Sequence, residues 1–331
     1  MKSQLQEVKP SGPVLSIVVA IIEGGRHATE SCLEVLSRDA EDLEIECIVP
    51  YDARLEDVSE LAAKFPFVNF VDSRDHVDAT EYGSNSREHH DILRAIGLRL
   101  ATAPIVALIE DHAAPAAGWC NAVIVAHRDS KASAIGGAVE NGVDRLLNWA
   151  VYYCDFGRYE NPVPLDAVEF VSDSNVSYKR DALMAVREQW HSAFHETSVN
   201  WEIRRQGGEL RLDPNMVVFQ KRSNLRFVPA LKERIVWGRS FAGTRASEIS
   251  SLKRMVFTCL TFALPFVLTS RIVFRGIQKN RHTKKIVFSL PLIFVLQIFW
   301  SIGEFVGYVT GRADTGRSRP RSLDVNSRMN D

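Results

Sequence analysis

Residues 14–22 read VLSIVVAII, a nearly unbroken apolar and β-branched run of strand length. Such a run predicts a parallel strand buried on both faces. A helical pattern follows over 29–37, then a second strand over 44–49 that ends at Pro50-Tyr51-Asp52. A helix over 55–65 leads to a strand over 68–71. After a polar stretch, 73–86, helical periodicity returns over 88–100, and a further strand over 104–109 ends at Glu110-Asp111-His112. Strands alternating with helices at this spacing predict an α/β chain with a doubly wound sheet. Ligands of such sheets bind beyond the carboxyl ends of strands, where Glu23, Asp52 and Asp111 fall.

The alternation then loosens. Strands are expected over 133–139 and 167–176, a helix over 180–189, and a loop from 194 into a helix stopped by Gly207-Gly208. Sixteen uncharged, mostly apolar residues lie between Arg254 and Arg271, and eighteen between Lys285 and Glu304. The linker between them is basic, with Arg271, Arg275, Lys279, Arg281, Lys284 and Lys285. A membrane span needs about 20 apolar residues, so residues 255–310 predict a membrane-associated helical hairpin. With basic residues on both sides, a shallow hairpin in the cytoplasmic interface, its linker on lipid phosphates, is favoured over a clean double span.

Composition narrows the function. At 46% hydrophobic and 24% charged residues the chain of 331 is globular. Five scattered cysteines without a C-x-x-C pair exclude a disulfide framework, and the first 14 residues lack the apolar core of an export signal. Residues 1–220 carry 20 Lys+Arg against 35 Asp+Glu, a balance of −15; residues 221–331 carry 20 against 6, a balance of +14. An acidic body with a basic, apolar last third points to membrane surface or phosphate, and to no nucleic-acid partner. No G-x-G-x-x-G follows the first strand, and neither a P-loop nor a G-x-S-x-G occurs. Nicotinamide dehydrogenases, nucleotide hydrolases and esterases are thereby set aside.

The sharpest local feature is LIEDHAAPAAGW, residues 108–119. A buried strand delivers two carboxylates and an imidazole to its tip, donors suited to Mg²⁺ or, with the histidine nitrogen, Mn²⁺ bridging to phosphates. A solvated acidic turn is the alternative reading.

The order of pieces resembles the family 2 glycosyltransferases, which have a GT-A fold. LSIVVAII followed by ESCLEVL is similar to that family's start. EIECIVPYD stands where the family places a nucleotide-holding strand, and residues 93–119 resemble its helix, strand and D-x-D metal motif. SDSNVSYKRDAL is similar to the acceptor-side stretch, and HETSVNWEIRRQGGELRLDP to the segment bearing the catalytic base. The usual D-D-D reads Glu110-Asp111-His112, the usual E-D pair reads Glu196-Thr197, and Q-x-x-R-W is absent, so the resemblance is to non-processive members. It implies Glu196 as catalytic base and Glu23, Asp52, Glu110 and Asp111 on the nucleotide-sugar. It also implies Asp111 and His112 on a divalent metal (Mn²⁺ or Mg²⁺), with Trp119, Asp173 and Asn175 on the sugar or acceptor.

The expected activity is inverting transfer from a nucleotide-diphosphate donor, a UDP-sugar by expectation, to a lipid-linked or cell-envelope glycan at the cytoplasmic face of the inner membrane. A catalytically weak, nucleotide-sugar-binding assembly partner in an envelope complex is the alternative. The expected domains are a tail (1–13), a GT-A domain (14–245), the membrane hairpin (246–311) and a basic disordered tail (312–331).

Overall fold

The computed structural model describes residues 12–22, 25–76, 87–247 and 249–312. The β-branched run becomes β1 (Leu15–Ala20), all six residues of which are buried, as a strand covered on both faces requires. After it come α1 (Arg26–Ala40), β2 (Ile45–Tyr51), α2 (Val58–Lys64), β3 (Val68–Asp72), α3 (Arg87–Leu100) and β4 (Ile105–Glu110). Strands β2 and β4 flank β1 and β3 lies outside β2, all parallel. The chain winds outward through β2 and β3, then crosses to β4 on the other side of β1. A switch point therefore opens between the carboxyl ends of β1 and β4. Gly97 permits the close seat of α3 on β1, since a Cβ there would overlap Val18 Cγ1.

Beyond β4 the sheet becomes mixed. The following elements are β5 (Ala113–Pro115), α4 (Trp119–Arg128), β6 (Ala134–Asn141), α5 (Leu146–Asp155), β7 (Asn175–Lys179), α6 (Arg180–Ala185), α7 (Glu196–Arg205) and β8 (Leu210–Gln220). Across the eight-stranded sheet the order is β3-β2-β1-β4-β7-β6-β8-β5. Strand β7 runs antiparallel to β4 and β6, and β6 runs parallel to β8. The doubly wound α/β sheet expected from the sequence is present.

Two departures have local causes. The strand expected over 167–176 starts only at Asn175; before it the chain is held by the Val168 N–H donating to the Leu210 carbonyl and by the Ser172–Ser174 hydroxyl pair. The hydrophobic pattern does not predict β8, because Asp213-Pro214-Asn215 breaks its alternation of buried and exposed residues. At that break the register against β6 shifts, Gly137 facing Asp213 and Ala138 facing Val217. Asn175 Nδ2 donates to the Ala138 and Met216 carbonyls at 2.9 and 2.7 Å, and Asn175 Oδ1 accepts from Trp119 Nε1 at 3.1 Å. An unpaired buried acceptor costs about 1–3 kcal/mol, so the asparagine amide repairs the interrupted ladder.

The C-terminal part holds α8 (Phe227–Ala246), α9 (Ser251–Leu260), α10 (Leu264–Lys279) and α11 (Thr283–Thr310). Contacts divide the chain into two compact units, the described residues up to Phe227 with Thr269–Ile293, and Val228–Leu268 with the described residues from Phe294 onward. Three helices thus stand where the sequence suggests a two-helix hairpin. Within the first unit the α10–α11 turn is held by protein groups. Lys279 donates to the Glu160 carbonyl, Arg281 to the Asn161 carbonyl at 2.8 Å, and Lys285 pairs with Asp144. Among the described residues α11 is long and apolar enough to cross a membrane, with mean hydropathy 2.1, and α9 with α10 form a pair bent by 73° that passes the same criterion together.

Candidate active site at the switch point

Asp111 follows directly on β4 and ties the tips of the two central strands together. Its N–H donates to the Ala20 carbonyl at 2.9 Å, and its Oδ1 accepts from the Ile22 N–H at 3.1 Å. The same oxygen accepts from the His112 N–H at 3.0 Å and lies 3.1 Å from His112 Nδ1. The other ring nitrogen, Nε2, is 3.4 Å from Glu110 Oε2. The imidazole is buried between two carboxylates. Desolvation lowers its pKa, but Asp111 and Glu110 outweigh that and raise it above the usual value. Burial in turn raises the Glu110 carboxyl, opposed by His112 and reinforced by Asp173.

Glu110 is also held by Gln220 Nε2 at 3.2 Å and by Arg94 Nη2 at 3.1 Å. Arg94 is the hub of the site. From α3 its guanidinium reaches Asp91 Oδ1, Glu110 Oε1 and Asp173 Oδ2, each at 3.1 Å. Although burial alone would lower its pKa, Asp173, Asp91 and Glu110 raise it further. The Asp173 N–H donates to Glu196 Oε2 at 3.4 Å. Glu196 is the first residue of α7, and His195 before it lies 3.2 Å from Asp91 Oδ2. Three candidates from separate segments, Glu110, Asp173 and Glu196, thus meet around one arginine.

Asp52 stands at the end of β2. Arg54 donates to both its oxygens, through N–H and Nε at 2.9–3.0 Å, and His89 Nε2 bonds Oδ2. Burial works against ionisation, yet the His89 and Arg54 hydrogen bonds hold the Asp52 carboxyl well below the usual carboxylate range. Arg54 also donates to the Ile21 and Ile22 carbonyls at 3.1 and 3.2 Å and lies 2.9 Å from His90 Nε2. Strand ends β1 and β2 therefore share one guanidinium.

Glu23 lies outside the described residues. Trp119 and Asn175 are fully buried and bonded to each other, so they repair the sheet and offer no surface to a sugar. Sequence reasoning overlooks Arg94, Asp91 and Arg54. Arg94 leaves one trace, a charged pair three residues apart within DILRAIGL, whose other residues are apolar. Arg54 leaves none, because a loop arginine is ordinary until its carbonyl partners on β1 are known.

Asp111 and His112 have the right donor chemistry for a divalent ion; here Asp111 Oδ1 and His112 Nδ1 face each other, and His112 Nε2 faces Glu110 Oε2. Among the described residues, the three side chains whose donor atoms converge for a metal are Glu140, Glu160 and His282.

No family model matches the chain, and no curated protein matches it in sequence. Among solved structures it is similar to the mannosyltransferase PcManGT from Pyrobaculum calidifontis, in complex with GDP-Man and Mn2+. The identity is 15%, covering 91% of this chain and 86% of that one, with a TM-score of 0.47. Likeness at this level assigns no residue a role.

Proposed function

We propose that the chain is an inverting glycosyltransferase of GT-A type, moving a sugar from a nucleotide-diphosphate donor, a UDP-sugar by expectation, to a hydroxyl of a lipid-linked or cell-envelope glycan. The observation that carries this reading is the meeting of Glu196, Asp173 and Glu110 around Arg94 at the sheet's switch point. Asp52 and Arg54 line the nucleotide end, an ionised carboxylate for base or ribose donors and a guanidinium for acceptor groups. Glu23 is assigned to the same end from sequence alone.

Glu196 takes the acceptor hydroxyl proton. The new bond forms between that oxygen and the anomeric carbon as the bond to the diphosphate breaks, its electron pair leaving on the nucleoside diphosphate. Attack opposite the leaving group inverts the anomeric configuration. A positioned carboxylate is suited to the role of general base. A divalent ion on Asp111 and His112 belongs to the expectation, and would supply charge for the leaving group. The closed Asp111–His112 contact gives no ground for routing a step through it.

The exposed apolar side chains of α9, the turn after it and the start of α10, among them Leu252, Met255, Leu260, Phe262 and Phe266, support attachment to lipid at the cytoplasmic face of the inner membrane.

The test is a panel of nucleotide sugars with Mn²⁺, Mg²⁺ or chelator, scored for nucleoside diphosphate release and donor binding. Slow release without acceptor is expected, and Glu196→Gln should lower turnover by about 10²–10⁴-fold with donor binding unchanged. Absence of both binding and release for every donor would overturn the proposal. The mutual engagement of Asp111 and His112 favours one second reading, a catalytically weak assembly partner in an envelope glycan complex. That protein would bind donor and release nothing.

A further inference from the structure

A second cluster of ligand-bearing side chains stands at the carboxyl end of β6, two strands from β4, and the transfer reaction makes no use of it. Glu140 is the penultimate residue of β6, Glu160 lies a few residues beyond α5, and His282 closes the turn between α10 and α11. All three belong to the first compact unit. His282 has a left-handed backbone, φ 48°, and its ring centroid lies 4.9 Å from that of Trp149. One donor atom from each of the three side chains lies within 4.8 Å of the others.

Glu160 supplies an independent observation. It is 1% exposed, yet neither carboxylate oxygen has a hydrogen-bond partner among the described residues. The charged groups of the turn are occupied elsewhere. Lys279 Nζ donates to the Arg158 and Glu160 backbone carbonyls, and Arg281 Nη1 donates to Glu140 Oε1 and the Asn161 carbonyl. The Asn161 N–H also lands on Glu140 Oε1. A buried carboxylate without a partner is expensive unless it is paired or coordinates a metal, and the side chains facing it are a second carboxylate and an imidazole.

We propose that Glu140, Glu160 and His282 bind one divalent transition-metal ion, Zn²⁺ foremost, which fastens the α10–α11 turn to the end of β6. Two carboxylates and one imidazole form an O,O,N set that zinc accepts at about 2.0–2.2 Å, which places ligands about 3.4 Å apart in a tetrahedron. The present spacing, up to 4.8 Å, is wider than that, and binding would draw the three side chains together. Zinc outranks manganese for such donors, and magnesium disfavours the imidazole. Arg281 stays on Glu140 Oε1 as an outer partner, orienting the carboxylate.

Calorimetric titration of Zn²⁺ into the purified full-length chain tests the site, with Glu160→Gln, His282→Ala and Asp111→Asn alongside wild type. Glu160→Gln and His282→Ala should each weaken one zinc equivalent by about tenfold or more, since even outer-shell losses cost that much. Asp111→Asn should retain that equivalent. Zinc should also raise the melting temperature of wild type and leave that of His282→Ala unmoved. His282 is exposed, so its truncation spares the fold should Glu160→Gln disturb it. Coincident isotherms for wild type and His282→Ala, or loss of the equivalent in Asp111→Asn alone, would overturn the site. The readout is metal binding, so the result is independent of whether the chain transfers sugar.

Discussion

Arg94 carries a single positive charge into a buried setting where Asp91, Glu110 and Asp173 each place an oxygen 3.1 Å away. Removing it leaves three carboxylates facing one another in a low dielectric. Arg94→Met should cost on the order of 3–5 kcal/mol, the usual penalty for stripping one partner from a buried ion pair. Arg94→Lys should recover only part, because an ammonium cannot fork among three carboxylates. Urea unfolding measures both, and a wild-type midpoint for Arg94→Met would refute the hub. Two histidines set an acid limit at the same scale. Burial, then Arg54 and Arg94, press His90 down to about 3, and burial with Lys179 presses His127 down to about 4, from an ordinary 6.5. Below 6.5 the unfolded chain binds protons that these folded imidazoles refuse. Stability present above about 6.5 is therefore lost as the pH falls towards the folded values. His127→Gln and His90→Gln should each flatten the slope of unfolding free energy against pH between about 6.5 and 4. Unchanged slopes would show that both rings protonate freely in the native state.

At the scale of elements, helices α8 and α11 of the second unit meet backbone to backbone. A Cβ at Gly238 would overlap the Trp300 carbonyl, one at Gly303 the Ile235 carbonyl, and one at Gly307 the Arg239 carbonyl. Small residues four apart are what allow such an approach, in lipid as in water. Gly303→Val should therefore destabilise the chain by at least the ~1–3 kcal/mol of an overpacked core. The neighbouring Ile302, 45% exposed, should tolerate alanine within about 0.5 kcal/mol. Melting temperatures of the two variants separate a packed crossing from a loose one. Arg234 on α8 also belongs to this crossing. It is buried, with Trp237 and Trp300 rings 5.2 and 5.9 Å from its guanidinium.

For the whole molecule, the open question is what covers the apolar helices. Leu252, Phe262, Phe266, Phe274 and Phe288 are each more than 60% exposed, and large exposed apolar side chains gathered on helices mark surfaces that meet a partner or lipid. The chain should sediment with membranes, resist extraction by salt and be released by detergent. Release by salt alone would exclude deep insertion. The hairpin turn gives a finer check. Its Lys279, Arg281 and Lys285 bond to groups of the α/β unit, so a cysteine placed at Asn280 should label only from the side on which that unit lies.

The alternation of buried strands and helices up to residue 110 was legible because local periodicity and β-branched content suffice for strands buried on both faces. The same pattern placed Asp52 and Asp111 at strand tips, since in a parallel α/β sheet the carboxyl ends are the ligand-binding ends. Glu196, Glu110 and Asp173 were legible singly, from the resemblance. Their meeting around Arg94 was not, because it needs β7 antiparallel beside β4, and strand order follows from long-range pairing that leaves no local mark. Along the chain alone Trp119 and Asn175 pass for sugar contacts for the same reason. The register break they mend exists only once β6 and β8 lie side by side. Likewise the basic residues near 280 spell a lipid-facing linker along the chain. Acidic groups over 100 residues earlier in the chain, brought to the end of β6 by the fold, turn that linker back onto the protein.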